Sequence, residues 1–97
     1  MVKNGLAKQR KKIDLALTPK ERDLLLGFLV MDRELEESLR KVPATQAHVR
    51  LAPYELVHLY GWLDYPANQS SNAAVQRKLD DICDRAQRLI PEDMFSD

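Results

Sequence analysis

The sequence predicts a mostly helical α+β fold, with two short strands and three helices in the order β-α-β-α-α. Three observations carry this. Two short runs alternate apolar with polar residues, three longer runs carry apolar residues at helical spacing, and one strand–helix junction is written twice.

Ile13, Leu15 and Leu17 interleave with Lys12, Asp14 and Ala16, which is the pattern of a half-buried strand. Thr18-Pro19-Lys20-Glu21 follows. Thr18 suits an N-cap, Pro19 suits the first helical position, and Glu21 can reach back to the Thr18 N–H to close a capping box. The first helix is expected to run to Val42, because Pro43 blocks continuation. Leu24, Phe28, Met31, Leu35, Leu39 and Val42 make one stripe. Leu25, Leu26 and Leu29 add a second, so the first half should be buried on more than one side.

Residues 43–47 read as a loop, and Val49 and Leu51 alternate with His48 and Arg50 as a second strand. Ala52 is a poor cap, but Pro53 and Glu55 open a second helix as Pro19 and Glu21 open the first, and Leu51 with Leu56 can staple it. Tyr65-Pro66 ends it, and residues 66–72 form a loop by composition. The third helix is expected over 73–90, on Val75, Leu79, Ile82, Ala86 and Leu89, and Pro91 stops it. The 97 residues make one domain: a basic arm over 1–11, a globular part over 12–91 and an acidic tail over 92–97 with Met94 and Phe95.

The repeat has an offset of 34 residues, relating 13–29 to 47–63. Identities fall at Leu17/Leu51, Pro19/Pro53, Glu21/Glu55, Leu25/Leu59, Gly27/Gly61 and Leu29/Leu63, and Phe28/Trp62 is aromatic in both. Mid-helix glycine costs about 1 kcal/mol against alanine, so Gly27 and Gly61 are expected to mark close backbone approach at a helix crossing. Two copies are too few for a solenoid. The expectation is a duplicated strand–helix unit whose two strands lie side by side under their helices. A two-stranded sheet is marginal alone, so a second subunit that extends it would help, and a homodimer is expected.

Charge is unevenly spread. Residues 1–12 hold Lys3, Lys8, Arg10, Lys11 and Lys12 with no acid, which leaves 13–97 with a net of −5 while the whole chain is neutral. Lys8, Arg10, Lys11 and Lys12 are candidate phosphate contacts, giving weak, salt-sensitive nucleic-acid binding as the alternative function. The lone Cys83 cannot form an intrachain disulfide, which suits a reducing, cytoplasmic setting. No apolar stretch exceeds the eight residues 24–31, so no membrane association is expected.

No nucleotide, metal or nucleophile motif is present, so no catalytic, cofactor-binding or metal residues are assigned and no enzyme activity or cofactor is expected. Cys83 lies beside Asp80, Asp81 and Asp84, which should raise its pKa. Asp81–Arg85 and Asp84–Arg88 are favourable i,i+4 pairs on a solvated face. The second helix has two sides. Leu56, Leu59, Tyr60 and Leu63 cluster on one side, whose leucines should pack on the sheet, and Tyr54, His58, Trp62 and Tyr65 share the other side with Gly61. The apolar equivalents Leu24, Phe28 and Met31 suggest that this aromatic side packs against a neighbouring helix, leaving polar tips at the rim. Left open, it is a protein-interaction face. The function expected is a non-enzymatic interaction domain that binds itself or another protein through this face or through an open strand edge.

Overall fold

The computed structural model describes residues 12–92. Strand β1 (Ile13–Ala16) leads into α1 (Pro19–Phe28), a short break, and α2 (Arg33–Arg40). Strand β2 (His48–Leu51) leads into α3 (Pro53–Leu63), a single 3-10 turn (Pro66–Asn68) and the long α4 (Ala73–Leu89). This is a small α+β fold, but with four α-helices where the sequence predicts three.

The strands pair antiparallel, with Leu15 opposite Val49 and Ile13 opposite Leu51. Leu15, Leu17, Val49 and Leu51 are fully buried, while Asp14, Ala16, His48 and Arg50 are exposed on the outer face. There Arg50 pairs with Asp14 at 3.4 Å. The Leu17 N–H donates to the Ala47 carbonyl at 2.9 Å. Antiparallel bonding alternates from residue to residue, so the backbone groups of the 14/50 and 16/48 pairs point outward to the sheet edges. Side chains cover part of that row: Arg85 donates to the Ala16 carbonyl at 2.8 Å and Gln46 to the His48 carbonyl at 3.0 Å.

The core joins the inner face of the sheet to Leu25, Leu35, Leu39, Leu56, Leu59, Leu79 and Ile82, all of them buried. Helix α4 packs along α3 and against β1. The start of α1 has both halves of its capping box, with Glu21 N–H donating to Thr18 Oγ1 at 3.1 Å and Thr18 N–H to Glu21 Oε1 at 3.0 Å. The start of α3 has one half, since Ala52 has no side-chain acceptor: Ala52 N–H donates to Glu55 Oε1 at 2.9 Å. Asn72 caps α4 by accepting from the Ala74 and Val75 N–H groups.

Glu21 also accepts both Arg85 guanidinium branches, at 2.9 and 2.6 Å, and Arg85 holds Asp81 at 2.6 Å. The expected Asp81–Arg85 pair is therefore present, but it belongs to a clasp that ties α4 to the β1–α1 junction rather than to a solvated face. Arg22 is buried and donates to the Gln46 and Pro43 carbonyls, each at 3.0 Å, which holds the loop that leads into β2.

Two expectations are corrected. The single helix to Val42 is two helices, because Leu29 leaves α1 in an extended conformation and Asp32 starts α2, its Oδ2 accepting from the Leu35 N–H at 3.2 Å. Close backbone approach at the glycines is also absent: a methyl group added at Gly27 or Gly61 would meet nothing within 4 Å. Both glycines are exposed. The Met94 and Phe95 tail lies outside the described residues.

Candidate functional site

The extended break after α1 is held from a distance by Asn68. Pro66 starts the 3-10 turn and drives Asn68 inward, where it is 1% exposed. Its Oδ1 accepts from the Val30 N–H at 2.9 Å. Its Nδ2 donates to the Val30 and Trp62 carbonyls at 3.0 and 2.9 Å. One buried amide thus satisfies both backbone groups of Val30 and an end carbonyl of α3. Gln69 continues the work by donating to the Leu63 and Tyr65 carbonyls, each at 3.1 Å.

This arrangement sets Asp32 beside α3. The Trp62 indole N–H donates to Asp32 Oδ1 at 3.0 Å, while Oδ2 caps α2. Burial alone would raise the Asp32 carboxyl; the Trp62 and Leu35 donors, with nearby His58, outweigh it and hold the group below its ordinary range. An open groove of about 630 Å³ lies here, lined by Asp32, Val57, His58, Gly61, Trp62 and Tyr65. Asp32 is its one carboxylate among the described residues.

Tyr54, His58 and Trp62 lie on α3, Tyr65 follows its end with its ring against Trp62, and this side is left largely open. Tyr54 is 47% and Tyr65 46% exposed, His58 is exposed and Trp62 half-buried. The packing of this side against another helix, expected from the apolar equivalents in the first copy, is limited to the start of α2, where Asp32 meets Trp62; Tyr54, His58 and Tyr65 stay exposed. The rings pair among themselves edge to face, Tyr54 with His58 at 6.0 Å and Trp62 with Tyr65 at 5.6 Å between centroids. Three of the four expected face residues line the groove; Tyr54 stands outside its lining. There Glu55 and Glu34 raise its phenol above the ordinary value.

Sequence reasoning missed Asp32, Val57 and Asn68. Asp32 left a signal, an Asp N-cap followed by acidic residues in the first turn, which the unbroken apolar stripe outweighed. Asn68 left none, since it reads as an ordinary loop residue.

Of the candidate basic arm, Lys12 is exposed. Lys8, Arg10 and Lys11 lie outside the described residues. Burial raises the Cys83 thiol, and Asp64, Asp84 and Asp80 add to the rise. His48 and His58 lie on different elements, and no group of three or more His, Cys, Asp or Glu among the described residues is placed to hold a metal. No helix among the described residues is long and apolar enough to cross a membrane. No protein family, curated protein or solved structure matches the chain.

Proposed function

We propose that this chain is a small non-enzymatic protein-interaction domain and that the groove beside α3 docks a segment of a partner protein. The observation that carries this reading is the exposed aromatic side of α3, with Tyr54 and Tyr65 nearly half open while every leucine on the opposite side is buried. Large amphipathic rings left open in this way are favoured at interfaces, where the ring supplies contact area and the polar tip stays wet. Exposed Phe28 and Val30, on the end of α1 and the break, add apolar surface.

On this reading the fold is a duplicated strand–helix unit that has diverged in one half. The strand register supports it, since Leu15 pairs with Val49, its counterpart 34 residues on. Exchanging the copies carries the Ile13–Leu51 pair onto Ala47–Leu17, which is also bonded. One copy breaks its helix at Leu29, and the other keeps its helix intact and presents the aromatic rings.

The test compares proteins captured from a native lysate by the parent chain and by the Tyr54→Ala/Tyr65→Ala double variant, both residues being at the surface. The expected result is a partner that only the parent captures and that shifts the Trp62 indole resonance when added in pure form. Identical capture by both chains, or shifts confined to other surfaces, sinks the reading.

A further inference from the structure

We infer that the groove recognises a peptide segment presenting a lysine or arginine side chain flanked by apolar residues. This rests on the docking reading above and names its occupant by charge. The lining is aromatic and aliphatic apart from His58 and one carboxylate, Asp32. That carboxylate is not a mobile surface acid. Trp62 Nε1 holds one oxygen at 3.0 Å and the Leu35 N–H the other at 3.2 Å, so the negative charge has a set position in the wall. A carboxylate offers about four lone-pair sites. Trp62, Leu35 and the Asp32 backbone N–H draw on three, which leaves acceptor capacity for an incoming N–H.

The same donors keep Asp32 ionised. The Trp62 and Tyr65 rings stand at 88° to each other, the edge-to-face arrangement. Aromatic faces attract ammonium and guanidinium groups, and the aliphatic stem of either side chain covers apolar wall as its head reaches the charge. Beyond the groove lining, Glu55 and Glu34 are near enough to Tyr54 to raise its phenol. A volume of about 630 Å³ gives room for such a side chain and an apolar neighbour. Two grooves meeting face to face would bring like charges together, so a segment of opposite charge is the favoured occupant over a second copy of this face.

The test uses three peptides of one length with Leu-Lys-Leu, Leu-norleucine-Leu and Leu-Glu-Leu at the centre. Binding is read on the full chain from the indole N–H resonance and the fluorescence of Trp62, the only tryptophan present. At about 0.02 M salt the lysine peptide should bind about tenfold more tightly than the norleucine peptide and the glutamate peptide least; the lysine advantage should shrink at about 0.5 M salt. Asp32→Asn, which keeps an acceptor for Trp62 or for the Leu35 N–H but not for both, should bring the lysine-to-norleucine ratio close to one. Norleucine binding as well as lysine overturns the cation preference and leaves the docking reading in place. Binding by none of the three overturns the inference, and the lysate comparison then judges the docking reading separately. Should Asp32→Asn unfold, the salt dependence decides alone: a ratio that does not move with salt overturns the proposal.

Discussion

Glu21 and Glu55 occupy the same step of two helix starts, and each turns one oxygen back to a backbone N–H. Their other partners differ. Glu55 Oε2 accepts the Ser38 hydroxyl at 2.7 Å, whereas Glu21 faces Arg85, with Lys78 at 3.5 Å. The Arg85 hydrogen bonds are the main reason that the Glu21 carboxyl sits at about 2 rather than 4.5; burial opposes them, and Thr18 and Lys78 assist. A carboxylate depressed in the folded state adds stability that is fully present above its unfolded pKa of 4.5 and is lost as pH falls toward 2. For a side chain this buried, the contribution is about 1–3 kcal/mol. Glu21→Gln should therefore cost about that much in urea unfolding at pH 7 and almost nothing at pH 2, while a pH-independent deficit would refute the coupling. Glu55→Gln, facing a neutral donor, should cost less, about 1 kcal/mol. The glycines make the opposite prediction. Neither has a positive φ, and added methyl groups meet open space, so Gly27→Ala and Gly61→Ala should each raise stability by about 0.5–1 kcal/mol, read as a higher urea midpoint.

The split of one expected helix into α1 and α2 decides what the groove is. The chain leaves α1 extended at Leu29, and Asp32, which starts α2, is set against Trp62. Asn68 makes three hydrogen bonds that hold the break, using two donors and one acceptor. Asn68→Ala leaves the Val30 N–H and carbonyl without their partner and the Trp62 carbonyl with the Tyr65 N–H alone, and should cost about 2–4 kcal/mol. Asn68→Asp should cost no less, because a carboxylate accepts from the Val30 N–H but repels the Val30 and Trp62 carbonyls. Denaturation of the two variants checks this, and an aspartate variant as stable as the parent would show that the donors are unimportant. The strands, the helix starts at Thr18-Pro19 and Ala52-Pro53, and the leucine side of α3 were legible in the sequence because each is a local pattern of period or spacing. The break was not, because its support comes from 38 residues away, and periodicity cannot distinguish a helix from two collinear-looking halves. The aromatic residues were legible as a set, but whether that side is packed or open was not, because it depends on where the neighbouring elements end up.

Self-association draws on the whole molecule, since it depends on which surfaces remain open once every element is placed. The two-stranded sheet looked like an invitation to pair with another chain, yet its outward row is short and partly used. Arg85 takes the Ala16 carbonyl and Gln46 the His48 carbonyl, on opposite strands of one cross-strand pair. Four residues per strand, an outer face of Asp14, His48 and Arg50, and these side-chain caps are the means by which edges are kept from pairing. The proposed groove is the remaining candidate surface, which sedimentation addresses. Face-to-face contact of two Asp32 sites is opposed by charge, so a homodimer formed through the proposed groove would need a basic segment of one copy at the groove of the other; the sequence offers Lys8, Arg10, Lys11 and Lys12 for that test. Sedimentation at low and physiological salt should show association that weakens as salt rises, that falls in Asp32→Asn and in Lys8→Glu/Arg10→Glu, and that is unchanged in Arg50→Glu on the outer sheet face. Association that survives both groove-directed changes and disappears with Arg50→Glu would place the contact on the sheet, and the groove would then lose its claim to a second copy.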